Sequence, residues 1–250
     1  CFPGGIEALA YAKINTTGDD PQDLSPNVEF IFVSGGLKTD RGLIYRRTLS
    51  ITNEIYNAVW RPLENKCVFQ VFPVLTHPKS YGYIELKSKN PYHWPVIYHK
   101  YFSDPQNQDV STFIAAIREI QRISKSPSLK QYGVSIVSTP IPGCQNNIFD
   151  SDGYWECALR HITPTLNDQI GTCKMGPAND AEAVVNHKLR VYGVQNLRVA
   201  DSSVIPLPLA AHTQGPAYMI GEKASDLIKE DWKDRHSILD AADIRRHVKT

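Results

Sequence analysis

Between Val110 and Ile123 six apolar side chains, Val110, Phe113, Ile114, Ile117, Ile120 and Ile123, recur every three or four residues, and Asp104-Pro105 announces the run. That spacing predicts an α-helix with one apolar stripe and a polar back. Such a stripe has to be laid against another element, and the chain before it offers a sheet. Val28-Glu-Phe-Ile-Phe-Val-Ser34 is β-branched and aromatic and reads as a strand, preceded by the turn-rich loop Gly18 to Pro26. Cys67 to Phe72 reads as another, and Tyr81 to Lys87 alternates polar with apolar as a half-exposed antiparallel strand does, with the loop THPKS between them.

After Ser138 the pattern changes. TPIPGCQNNIFDSDGYWEC is rich in turn formers and leads into a short helix expected over Tyr154 to Thr163. Leu189 to Val194 and Leu197 to Ala200 read as short strands joined around Gln195-Asn196. A last helix is expected from about Pro216 to Trp232, with Ile220, Ala224, Leu227 and Ile228 on one face. Pro216 suits its first turn, where a missing N–H forfeits no intrahelical bond. With 250 residues, 42% of them hydrophobic, the chain can bury a sizeable core.

Several classes of function are excluded. Twenty-seven basic against 26 acidic residues give a net charge of +1 with no basic stripe, so nucleic acid is not an expected partner. No apolar run approaches the roughly 20 residues of a membrane span, and CFPGGIEALAYAKIN lacks the basic start and apolar centre of a signal peptide. Five cysteines, Cys1, Cys67, Cys144, Cys157 and Cys173, make an odd count without a CxxC pair, so no metal site is expected. Asn15-Thr16-Thr17 is a glycosylation sequon in a polar loop; if used, it places the protein outside the cytosol, where a pairing such as Cys144 with Cys157 becomes an open possibility. There is no GxGxxG, so if a dinucleotide is used its pyrophosphate cradle lies elsewhere.

The chemistry-bearing residues cluster late in the chain. His212 and Thr213 stand just before the last helix, whose N-terminus carries N–H groups and partial positive charge suited to an electron-rich ligand edge. Spacing alone leaves His212 either as an acid/base group or as a loop residue satisfying its surroundings. Cys173, in the turn Gly171 to Gly176, reads as a structural thiol because no base is evident beside it. Asp201 follows a strand and fits either a hydroxyl-binding carboxylate or an ordinary cap. His161 reads as structural, the charged clusters RRHVK and KEDWKDRH as solvated surface, and Phe69, Tyr92 and Trp94 as core in preference to pocket lining.

Against this background, GTCKMGPANDAEAVVNHKLRVYGVQNLRVADSSVIP and GPAYMIGEKASDLIKEDW resemble the C-terminal part of the glucose-methanol-choline (GMC) oxidoreductases, especially the insect glucose dehydrogenase and ecdysone oxidase branch. GGIEALAYAKIN, VEFIFVSGG, HPKSYGYIELKSKNPYHWPVIYHKYFSD and SDGYWECALRHITPT extend the likeness upstream. The resemblance implies an α+β fold: a substrate domain with an antiparallel sheet covered by helices over about residues 1–165, then residues 166–250 completing a Rossmann-type FAD domain. The half bearing the FAD motif is not in this chain, and a separate chain or segment is expected to supply it.

The implied reaction is FAD-dependent oxidation of the CH–OH group of a small-molecule alcohol, sugar or steroid, by hydride transfer to the flavin. Family members carry a proton-abstracting histidine four residues before the GTC threonine, which here is Asp168. A second His or Asn stands fourteen residues after the LRV arginine, which here is His212. Three readings follow from the departure at Asp168: a swapped pair in which His212 takes the proton and Asp168 orients or charges it, Asp168 itself as base, or a catalytically impaired protein with a binding or structural role. By the same resemblance Asp201, Ser202, Thr213, Gln214 and Pro216 fall beside the flavin.

Overall fold

The structure is a computed structural model that describes residues 5–16 and 22–247, with side chains as far as residue 233. Along the chain run β1 (Ile6–Ala12), β2 (Val28–Val33), α1 (Tyr45–Thr48), α2 (Asn53–Val59), a 3-10 turn (Arg61–Leu63), β3 (Gln70–Leu75), β4 (Tyr83–Glu85) and β5 (Val96–Tyr98). Then come α3 (Gln108–Ser124), α4 (Pro127–Lys130), α5 (Asp152–Ile162), a second 3-10 turn (Ser202–Val204) and α6 (Gln214–His247). Helices with small antiparallel sheets make this an α+β fold. The chain divides into two compact units at Leu166/Asn167.

In the first unit β1, β2 and β3 form an antiparallel sheet in that order. Central strand β2 buries Val28 and Phe30 against Ala116 and Ile120 of α3, so the predicted amphipathic helix does cover a sheet. Its start is three residues later than Asp104-Pro105 would place it. Asp104 is the reason: its carboxylate reaches forward to accept the Gln108 N–H at 2.5 Å, acting as a cap from outside the helix. The expected strand over Cys67 to Phe72 is displaced to Gln70–Leu75. Cys67 is held by a disulfide, and Pro73, which lacks a donor, is accommodated because β3 lies at the sheet edge.

The strand expected over Tyr81 to Lys87 shrinks to β4, paired with β5 in a separate two-stranded sheet. Gly82 precedes it because a Cβ there would run into the carbonyl oxygens of Tyr98 and His99. Tyr92 and Trp94 lie between these strands at 90% and 87% exposure and Phe69 is also exposed, so none of the three is core. Neither strand is long enough to hide both faces of a two-stranded ribbon.

Helix α5 follows the sequence expectation closely. Ser151 accepts the Tyr154 N–H and caps it, and Tyr154 is buried with its hydroxyl accepting the Ile141 N–H at 3.1 Å. That bond satisfies a buried donor, so Tyr154→Phe should cost about 1–3 kcal/mol, read as a lower denaturant midpoint, despite the near-identical volume. Cys144 and Cys157 are joined as a disulfide, the pairing the sequence left open.

The second unit corrects two strand expectations. Leu189 to Val194 and Leu197 to Ala200 make only isolated bridges, Arg190 with Arg198 and Val185 with Val191. Positive φ at Leu189, Gly193 and Asn196 breaks the extended run before a ladder can propagate. Helix α6 begins at Gln214 and continues past Trp232 to His247. Ile220, Ala224 and Leu227 pack with Val185, Leu189, Val204 and Ile205, whereas Ile228, expected on the same face, is 43% exposed. A helix turns about 100° per residue, which carries position 228 off the stripe that 220, 224 and 227 share. Asp231 ties the helix to the bridged segment through Arg190 at 2.6 and 2.7 Å and Arg198 at 2.6 Å.

Candidate active site

The GTC turn is set by backbone bonds. Asn167 and Gly171 take positive φ, and the Cys173 and Met175 N–H groups donate to Ser203 and Val204 carbonyls, each at 2.9 Å. Ile170, Met175 and Leu209 pack onto the Val204–Ile205–Ile220 core, which fixes the strands of chain carrying positions 168 and 212. Both belong to the second unit.

Asp168 and His212, 44 residues apart in sequence, meet: His212 Nδ1 lies 2.9 Å from Asp168 Oδ2. Thr213 grips the other carboxylate oxygen twice, donating its N–H to Oδ1 at 2.9 Å and its hydroxyl at 2.6 Å. Burial pushes the Asp168 carboxyl up, but the Thr213 hydroxyl, the Thr213 N–H and the His212 ring together outweigh it and hold Asp168 below the usual carboxylate range. The carboxylate is therefore ionised at neutral pH, a poor proton acceptor and a good orienting charge.

The sign of the pH effect follows. A depressed folded pKa contributes stability that is present above the ordinary aspartate value and is lost as pH falls through the folded value. The protection factor of the Thr213 amide, the exchange rate of the unstructured chain divided by its own at the same pH, is thus expected to be high at neutral pH and to fall once pH drops below the ordinary carboxylate range, a dependence that Asp168→Asn should flatten.

The remaining expected residues separate into those near this pair and those elsewhere. Thr213 immediately precedes α6, and its carbonyl accepts the Ala217 N–H, the first bond of that helix. Gln214 and Gly215 are exposed, their N–H groups precede that first bond, Pro216 has none, and a Cβ at Gly215 would meet no atom within 4 Å. Asp201 accepts the Ser203 N–H at 2.8 Å and so caps the 3-10 turn in which half-buried Ser202 lies. Cys173 is a free thiol with no base against its sulfur among the described residues. His161 Nδ1 lies 2.8 Å from the Cys157 carbonyl oxygen, a structural contact. Sequence reasoning missed the double donation from Thr213; an Asp–His pair by itself gives no sign of which loop residue will clamp the acid.

The family model described as GMC oxidoreductase matches residues 78–221. Glucose dehydrogenase [FAD, quinone] of Drosophila pseudoobscura pseudoobscura is 45% identical over 177 residues, which cover 71% of this chain and 28% of that protein. The enzyme of the same name from Drosophila melanogaster is 42% identical over the same shares of each. Among solved structures, a variant of Aspergillus oryzae formate oxidase superposes with a TM-score of 0.62 at 26% identity, covering 84% of this chain and 32% of that one. The chain spans less than a third of the length of each of these relatives. With more than half of its residues inside the family match, this chain belongs to the GMC oxidoreductases.

Proposed function

We propose that this chain supplies the proton-handling part of an FAD-dependent oxidoreductase acting on CH–OH groups of an alcohol, sugar or steroid, with His212 as the base and Asp168 as its positioning partner. The observation that carries the reading is the 2.9 Å contact between them. The donor set at the start of α6 fits a flavin: the N–H groups of the exposed residues Gln214 and Gly215, which precede the first intrahelical bond on the positive end of a long helix, suit an electron-rich ring edge, and the missing Cβ at Gly215 permits close approach. Those two residues with Thr213 would hold the ring, and Asp201 and Ser202 would lie beside it; Pro216 keeps the first helical turn rigid without adding a donor. FAD, when bound, supplies the hydride acceptor.

The chain's own part is proton transfer. With Asp168 ionised, His212 keeps its proton on Nδ1, donated to Oδ2, so Nε2 is the atom presented as base. As the substrate C–H bond gives up its hydride, the hydroxyl proton passes to Nε2 and the alcohol carbon becomes a carbonyl. The imidazolium that results faces the Asp168 charge, which steadies it. Thr213 prevents the carboxylate from turning away during this step.

The FAD-domain half is proposed to come from a preceding segment or a separate chain, and the location to be extracellular. Supporting the location are the Cys144–Cys157 disulfide, a second disulfide at Cys67, and exposure of Asn15 of the sequon, although Thr17 lies outside the described residues. The test is anaerobic spectroscopy of the holoprotein. Adding an alcohol or a sugar should bleach the oxidised flavin bands; a flavin that none of a panel of such donors reduces would show the fold serving a non-catalytic role.

A further inference from the structure

The Cys144–Cys157 bridge does not stand alone. His161 is one helical turn beyond Cys157 on α5, and its Nδ1 lies 3.6 Å from the Cys144 sulfur and 3.7 Å from the Cys157 sulfur. The three ligand atoms all fall within 4.8 Å of one another. With Zn–S near 2.3 Å and Zn–N near 2.0–2.1 Å, tetrahedral angles put a thiolate sulfur and an imidazole nitrogen about 3.6 Å apart, the spacing found here. The two sulfurs would need to move from bonding distance to about 3.8 Å, a change within reach of side-chain rotation.

The frame around them does not depend on the bridge. Cys144 sits in a turn closed by its N–H to the Ile141 carbonyl at 2.9 Å, and Ile141 is bonded in turn to the buried Tyr154 hydroxyl. Gly143, at φ +92, lets this turn approach the imidazole, since a Cβ there would lie 2.7 Å from His161 Nε2. Cys144 is buried, Cys157 half-buried and His161 exposed, so one side of the cluster faces water and could take a solvent ligand as the fourth. A closed CxxC arrangement is not required when a turn and a helix bring the ligands together.

We propose that Cys144, Cys157 and His161 form a redox-gated site for a thiophilic divalent cation such as zinc, a disulfide in oxidising surroundings and a metal centre in reducing ones. A dithiol reduces the bridge by exchange: the S–S bond breaks, two cysteine thiols form, and the dithiol closes to its own disulfide. Metal binding then releases both thiol protons, and the imidazole stays neutral as its proton moves from Nδ1, now a ligand, to Nε2. The Nδ1 contact to the Cys157 carbonyl is given up for the metal bond.

Cobalt(II) titration of the chain, with a non-coordinating phosphine as reductant, reads the site. The reduced protein should bind one equivalent with thiolate-to-metal charge transfer and the strong visible bands of tetrahedral cobalt, and the oxidised protein should not. His161→Gln, which leaves the bridge intact, should weaken cobalt binding in the reduced state by at least the ~10-fold that even an outer-sphere partner commands. The Cys144→Ser/Cys157→Ser double variant, which keeps Cys67 and Cys173, should lose the signal. Equal binding in both redox states, a signal that survives the double variant, an affinity unchanged by His161→Gln, or loss of helical circular dichroism on reduction would each overturn the proposal.

Discussion

His212→Ala is expected to lower turnover of the holoenzyme by about 10²- to 10⁴-fold while leaving the flavin spectrum and KM close to those of the parent, because removal of a general base acts on the transition state. The loss is traceable to one proton. Without Nε2 the substrate hydroxyl must give it to water, and the Asp168 charge, poised 2.9 Å from the ring, has nothing to steady. Asp168→Asn should also slow the reaction, since an amide keeps an acceptor for Thr213 but holds no charge against the imidazolium. The two losses should not add: with the imidazole gone the carboxylate has no partner to orient, so the double variant should turn over no more slowly than His212→Ala alone. A His212→Ala enzyme with the parent's turnover would remove His212 from the mechanism.

The pairing also narrows what the departure at position 168 means. The sequence left Asp168 as base, as partner, or as a sign of lost chemistry. Three donors on its two oxygens make it a fixed anion, which disfavours the first of these on electrostatic grounds. An imidazole at 168 could not accept the Thr213 N–H and hydroxyl while also holding the His212 ring, so restoring a histidine there is not a simple reversal.

What could be read in the sequence follows the range of the forces involved. Helix α3 was legible because its apolar period is a local property, and α5 because a turn-rich stretch leads directly into it, its first buried residue being Tyr154. Its neighbour β3 was misplaced because a disulfide at Cys67 and an edge position for Pro73 are tertiary facts. Positions 189–200 alternate well enough to look like strands, yet left-handed backbone at Leu189 and Asn196 is invisible to alternation. The Asp168–His212 contact spans 44 residues, and no periodicity carries such a distance; counting along a resembling motif found it. The Thr213 clamp was missed because the resemblance directed Thr213 to the flavin, and no local pattern tells that its hydroxyl and N–H turn to a carboxylate 45 residues away.

The stability of the second unit turns on one stripe of α6. Leu227 is 7% exposed and packs with Ile220 and Ala224 against Val185, Leu189, Val204 and Ile205, so Leu227→Ala should cost about 2–5 kcal/mol through lost transfer energy and the cavity left behind. Its neighbour Ile228, 43% exposed, should tolerate alanine within about 0.5 kcal/mol. Both are read from the urea midpoint of the helical signal at unchanged slope. The contrast carries the argument, because both substitutions remove a similar aliphatic group from one helix and differ only in what that group touches. Val204, which packs in this core, also accepts the Met175 N–H of the GTC turn, so the Leu227 cavity should reach the active site: Thr213 amide exchange should quicken in Leu227→Ala and stay unchanged in Ile228→Ala. Equal destabilisation by the two substitutions would mean that α6 is held by something other than this stripe.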